Sequence, residues 1–173
     1  VSASLGSRLK WPDNYFVAYN GLNWQTYNLT NWYSGYFIFD NGYSHNISYS
    51  FNLMRNSTDQ QIYPRMGSEF SFGLSLTPPF SLFRKYDFDK DGKRVNVKSW
   101  KDVNYDNWSA QQRYRWIEYH KWKMSASQYI KLVGDLVLMT RAQFGYLGFY
   151  NRNWGYSPFE GFLLGGDGMS GYN

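Results

Sequence analysis

The chain has no cysteine in its 173 residues. A disulfide scaffold, a thiolate metal site and a cysteine nucleophile are therefore excluded. Histidine is scarce as well: His45 and His120 each stand alone in a segment that reads as strand, so no serine, histidine and aspartate arrangement is spelled out. Long apolar runs are missing. Although 43% of the residues are hydrophobic, the mean hydropathy is -0.61, and no stretch approaches the ~18 apolar residues of a spanning helix. A helical membrane protein is excluded, and any membrane role must go through strands. Val1 to Lys10 lack the charged start, apolar middle and cleavage site of a signal peptide. No charge of one sign dominates, since 18 Lys and Arg against 13 Asp and Glu leave a net +5. Nucleic-acid binding would want the basic groups gathered on one face. The densest basic stretch, Arg113, Arg115, Lys121 and Lys123, alternates with Tyr114, Trp116 and Trp122. That would suit stacking on a single strand, but it is equally the pattern of a β-strand with one wet face. No nucleic-acid partner is expected.

What is abundant is aromatic: 13 Phe, 17 Tyr and 8 Trp, 22% of the chain, far beyond what one soluble core needs. The dominant period is two. Ile47, Tyr49, Phe51 and Leu53 interleave with Ser48, Ser50 and Asn52, and Phe70, Phe72, Leu74 and Leu76 interleave with Glu69, Ser71, Gly73, Ser75 and Thr77. Such segments are strands with one greasy and one wet face. The second has an unbroken greasy side and a wet side of small residues plus an acid, which suits lipid outside and water inside. Phe70, Phe72, Leu74 and Leu76 are thus expected to face lipid, and Glu69, Ser71, Ser75 and Thr77 the lumen. Weaker copies run from Val1 to Leu9, from Tyr15 to Leu29, from Arg113 to Ser127 and from Leu136 to Gly148. In the last, Leu138, Ala142 and Phe144 would face out and Arg141, Gln143 and Gly145 in. Phe159 to Leu164 would add one more strand. The fold class expected is all-β: a transmembrane antiparallel β-barrel, here an incomplete wall of about six or seven strands.

The connections sort by length. Trp11 to Asn14, Thr58 to Met66 and Leu132 to Asp135 are short, whereas Thr30 to Tyr43, Pro78 to Gln112 and Tyr150 to Pro158 are longer and rich in Asn, Asp, Tyr and Trp. Tight turns on one side and long loops on the other are the layout of an outer-membrane barrel. Aromatics also gather near the expected strand ends, at Tyr15 and Phe16, Trp32 and Tyr33, Tyr146 and Phe149, where interfacial girdles belong.

Few residues suggest covalent chemistry. Asp87, Asp89, Asp91 and Gly92 open like a calcium loop, but the twelfth position is Lys98 where a bidentate Glu would stand, so the plain reading is a solvated turn. Glu69 and Glu160 have no neighbours that would split their pKa values. A phospholipase on this architecture would need a nucleophile set apart from the rest, and serine is too frequent here to single one out. No enzyme activity and no cofactor are expected. Asn28, Asn46, Asn56 and Asn107 head Asn-x-Ser/Thr sequons, which arise by chance in a chain so rich in Asn and Ser.

The tail is the most specific stretch: Pro158, Phe159, Glu160, Gly161, Phe162, Leu163, Leu164, Gly165, Gly166, Asp167, Gly168, Met169, Ser170, Gly171, Tyr172. It resembles the segment by which BamA-like outer-membrane assembly barrels, and their relatives in two-partner secretion, lead from a strand into the sixth external loop. In that family a Pro-Phe pair, an aromatic-rich strand and a double glycine precede a Val-Arg-Gly-Tyr/Phe motif. Met169, Ser170, Gly171 and Tyr172 stand in its place. The arginine position is Ser170, so the family's loop arginine and its ion pair do not carry over, while the glycine and tyrosine do. Asn56 to Thr58 followed by Ile62 to Ser68 is similar to the family's periplasmic turn, and Leu136 to Gly145 to its arginine-bearing strand before that loop.

The resemblance implies the central part, residues 1 to 173, of one outer-membrane barrel domain, with POTRA domains and the first and last strands absent. About seven strands cannot close a barrel that needs about eight, which leads to the same expectation of a piece. It further implies non-enzymatic folding and insertion of other β-barrels in a Gram-negative bacterial outer membrane. The partners implied are outer-membrane lipids and lipopolysaccharide, client β-barrel proteins and accessory assembly lipoproteins. Two rivals remain: a soluble carbohydrate-binding β-sandwich, its Tyr and Trp stacking on sugars, and a passive porin.

Overall fold

The period-two segments pair in sequence order into one antiparallel sheet. The computed structural model describes residues 1–31, 41–155, 157 and 160–162. Its strands are β1 (Ser2–Arg8), β2 (Phe16–Leu29), β3 (Gly42–Asn56), β4 (Gly67–Leu76), β5 (Tyr86–Phe88), β6 (Arg94–Asn96), β7 (His120–Lys131) and β8 (Val137–Gly148). Six of them form a sheet in the order β1-β2-β3-β4-β7-β8, and β5 and β6 make a separate hairpin. No described helix is long and apolar enough to cross a membrane. The four strands β2, β3, β7 and β8 run 14, 15, 12 and 12 residues, enough for the ~9–11 that a tilted spanning strand requires.

The short connections β1–β2, β3–β4 and β7–β8 all lie at one end of this meander, and the long ones at the other. The β3–β4 turn is fixed by Asp59, whose Oδ1 accepts the N–H groups of Arg65 (2.9 Å) and Met66 (3.1 Å). It ends at Gly67, with φ +108° and so little room that a Cβ would stand 2.3 Å from the Ser57 carbonyl oxygen. Only glycine fits there.

β4 stops at Leu76, opposite Tyr49, while β3 continues to Gly42. The projecting part of β3 keeps β2 on one side. On the other it takes the returning segment, through His45 N–H to the Arg115 carbonyl (2.8 Å) and Ile117 N–H to the His45 carbonyl (2.9 Å). This corrects the strand expected from Arg113. Ser109 and Gln112 form a reciprocal capping box that opens a helix, α1 (Ala110–Arg113), and the regular strand begins only at His120. The strand expected over 159–164 is likewise absent at Glu160, Gly161 and Phe162, which are irregular, and its other residues lie outside the described ones.

The buried apolar cluster lies not in the sheet, where Ala18 and Leu29 of β2 are buried singly, but beyond its long-loop end. Val103, Tyr105, Trp108 and Trp154 cluster there, with Tyr86, Phe88 and Val97 against them. Trp154 comes from the segment after β8 and the others from the β4–β7 connection, so two loops share one dome. Arg84 is buried between indole rings, its guanidinium 4.9 Å from the centre of Trp108 and 4.4 Å from that of Trp154. Arg113 adds two bonds across the same joint, to the carbonyls of Asn153 (3.0 Å) and Trp154 (2.6 Å). A two-sheet sandwich is not formed: among the described residues the only other sheet is the small β5–β6 hairpin, and the core a sandwich would bury between sheets lies in the dome.

Candidate functional site

Because side chains alternate along each strand, the register assigns every residue of the sheet to one of two faces. One line across the strands runs Ala18, Leu53, Phe72, Met124, Phe144, and the next Leu5, Asn20, Phe51, Leu74, Trp122, Tyr146. Phe70 and Leu76 fall on the same face, as do Leu138 and Ala142. The large side chains here have no layer covering them; Leu22 is 63% and Phe144 55% exposed. Asn20, polar within its line, accepts a hydrogen bond from the Tyr49 hydroxyl. Phe51, Phe72 and Trp122 meet edge to face, with centroids 6.3 and 6.0 Å apart, the favoured geometry of neighbouring rings.

The opposite face is mostly small and polar, with Tyr19, Met54, Tyr129, Met139 and Leu147 among its large apolar residues. Its lines run Ser4, Gly21, Ser50, Ser75, Lys121 and, further toward the short turns, Asn56, Glu69, Ser127, Arg141. The expected inward set, Glu69, Arg141 and Gln143, does share this face. Arg141 Nε donates to Ser127 Oγ (3.2 Å), and Asn56 Nδ2 to Glu69 Oε1 (3.5 Å). A pocket of about 200 Å³ lies beside these residues.

Two arrangements were missed from sequence. Arg55 continues the apolar parity of β3, in register with Phe16 and Phe70. It sits at the short-turn end, donating to Asp13 Oδ2 (2.9 Å), Ser57 Oγ (2.9 Å) and Ser68 Oγ (2.7 Å). Its charge is met at the rim, and the break of alternation at residue 55 was the visible signal. The other is Glu118, which has no exposed surface and accepts from the Ser81 N–H (2.6 Å) and hydroxyl (2.7 Å). Burial pushes its carboxyl above the usual carboxylate range, with the Ser81 bonds and the Arg84 charge pulling back. Nothing in its local sequence signals this, since Ser81 lies on the far side of the loop.

The segment after β8 returns to the polar face. Lys121 Nζ donates to Glu160 Oε2 (3.3 Å) and to the Gly161 carbonyl (2.6 Å). The Phe162 ring lies 4.8 Å from Lys121 Nζ and 5.6 Å from Lys123 Nζ. The motif proper, Gly165, Gly166, Asp167, Gly168, Met169, Ser170, Gly171 and Tyr172, lies outside the described residues, as do Trp32 and Tyr33. Two of the three aspartates of the calcium-like loop hold separate sets of hydrogen bonds. Asp87 accepts from Trp108 Nε1 (2.8 Å) and the Asn104 N–H (2.8 Å), Asp89 from the N–H groups of Asp91 (3.1 Å) and Lys93 (2.8 Å) across the β5–β6 turn. Among the described residues no three acidic, histidine or cysteine side chains gather as a metal site.

A single sheet with one uncovered apolar face, one mostly small and polar face and loops sorted by length has the layout of a membrane barrel wall. None of the curated proteins and none of the solved structures compared with the chain matches it. A match to the Omp85 superfamily domain, in contrast, spans residues 1–173. The chain therefore belongs to the Omp85 superfamily, the outer-membrane β-barrel proteins of protein insertion and transport, which work with lipids and client β-barrels.

Proposed function

We propose that the protein is a BamA-like assembly factor that folds and inserts other β-barrels into the outer membrane of a Gram-negative bacterium, without covalent chemistry and without a cofactor. The observation that carries this reading beyond the family is the segment Glu160 to Phe162, held on the polar face by Lys121. It is the approach to the sixth-loop motif that the tail resembles. In this reading the apolar face, with Phe70, Phe72, Leu74 and Leu76, meets lipid, and Glu69, Arg141 and Gln143 line the lumen. The dome closes the outer side, next to lipopolysaccharide, and the short turns meet accessory lipoproteins in the periplasm. Client strands add by β-augmentation, main chain to main chain, which needs no catalytic side chain.

The test is reconstitution of the natural protein in vesicles, followed by addition of an unfolded client barrel. Faster client folding than in empty vesicles supports the proposal. Vesicles that leak small solutes but leave client folding at its spontaneous rate would identify a passive porin and overturn it.

A further inference from the structure

Lys121 and Lys123 stand on the same face of β7. Across the sheet Lys121 is in register with Ser75 on one side and Leu147 on the other, and Lys123 is flanked by Gly73 and Gly145. The glycines leave room beside Lys123, and the returning chain meets the two cations with three kinds of contact at once. The first is the ion pair of Lys121 with Glu160, whose side chains are only 14% and 23% exposed; exposed pairs are screened by water and hold little, but this one is largely shielded. The second is the bond from Lys121 Nζ to the Gly161 carbonyl, 2.6 Å, which grips the backbone itself and so fixes the path of the chain. The third is the Phe162 ring, whose centre lies within reach of both ammonium groups, where the ring's negative face meets the cations.

We propose that Lys121 and Lys123 are positioning residues, two posts of a clamp on the lumenal face of β7 that grips Glu160, Gly161 and Phe162 and fixes the course of the chain as it re-enters the barrel. The clamp rests on the assembly-factor reading, since that reading supplies a use for a chain segment held inside the lumen. It does not depend on an arginine at position 170. Charge and ring are instead supplied upstream of the motif, from strand to loop.

These 173 residues hold no cysteine, so once any cysteine elsewhere in the full-length protein is replaced, Gly161→Cys carries the single nitroxide label. A Cβ at Gly161 meets nothing within 4 Å, so the replacement fits. In the natural protein, purified in detergent, the spin label should give a broad, immobilised line. Lys121→Met should convert it to a narrow, mobile one, and Lys121→Arg, which keeps the charge and the donors, should keep it broad. Glu160→Gln alters the other partner from outside the strands, where barrel folding is not at risk, and should mobilise the label part-way. A line shape unmoved by both Lys121→Met and Glu160→Gln overturns the clamp, and so does an Arg variant as mobile as the Met one. The measurement contains no client, so its outcome is separate from that of the assembly assay.

Discussion

Two carboxylates at opposite ends of the sheet show how burial and hydrogen bonding set opposite responses to pH. Glu118, in the dome, is raised above its ordinary value by burial. Its folded form holds the proton more tightly than the unfolded chain does, so the stability linked to it is full below the unfolded pKa and is lost as pH rises through the folded one. Asp59, in the β3–β4 turn, is lowered by the N–H groups of Met66 and Arg65. Its contribution is present above the unfolded pKa and is lost as pH falls through the folded one. Acidification from neutral should therefore protect the backbone amides around Ser81 and Glu118 and expose those of Arg65 and Met66. Hydrogen exchange, corrected for intrinsic rate, reads both. Glu118→Gln should abolish the first trend and Asp59→Asn the second; trends of the same sign at both ends would refute the assignment. Asp59 was legible in sequence as part of a turn. Glu118 was not, because its environment is made by Ser81 and Arg84, residues that only the folding of the long connection brings to it.

At the scale of elements, the sequence disclosed strands where one face repeats without a break and failed where a second rule competed. β4 is the clear case: the alternation from Glu69 to Leu76 agrees in register with β3 and β7 on both sides. Between Arg113 and Tyr119 the alternation of basic and aromatic residues is also period two, yet the capping box at Ser109 starts a helical turn and the projecting end of β3 captures Arg115 to Ile117. Local pattern there yields to a partner about seventy residues away, His45 for Trp116. The face assignment itself makes a sharp prediction. Phe72 lies in the middle of the apolar line from Ala18 to Phe144, so Phe72→Lys should cost about 2–4 kcal/mol near the bilayer midplane. Ser71→Lys, one residue away on the face that already carries Lys123, should stay within about 0.5 kcal/mol, as surface changes do. Urea unfolding in lipid vesicles measures both, and equal costs would mean that the two faces see the same solvent.

For the whole molecule, the sorting of connections gives the wall a direction. The short turns at one end are held by local bonds, such as Asp59 with Arg65 and the Leu132 N–H to Leu136 carbonyl at 2.9 Å. At the other end the connections are long enough to build a dome with a core of its own, in which Trp154 and Trp108 join two loops. A barrel that enters the outer membrane from the periplasm must pass one set of connections through the bilayer. Buried backbone without partners costs several kcal/mol per group in hydrocarbon, and a long loop carries many such groups before its dome is folded. Crossing is nonetheless the fate of the long set in outer-membrane barrels, whose tight turns stay in the periplasm. The dome should therefore lie outside the cell. These 173 residues hold no cysteine, so cysteines placed in them measure this directly once any elsewhere in the full-length protein are replaced. Lys90, exposed near the tip of the β5–β6 hairpin, and Val133, 78% exposed in the β7–β8 turn, can each be replaced by cysteine without disturbing a buried contact. A membrane-impermeant maleimide should label Lys90→Cys in intact cells and Val133→Cys only after the outer membrane is permeabilised. The reverse order would turn the wall over and place the dome in the periplasm, and with it would move the outer partner from lipopolysaccharide to the periplasmic machinery.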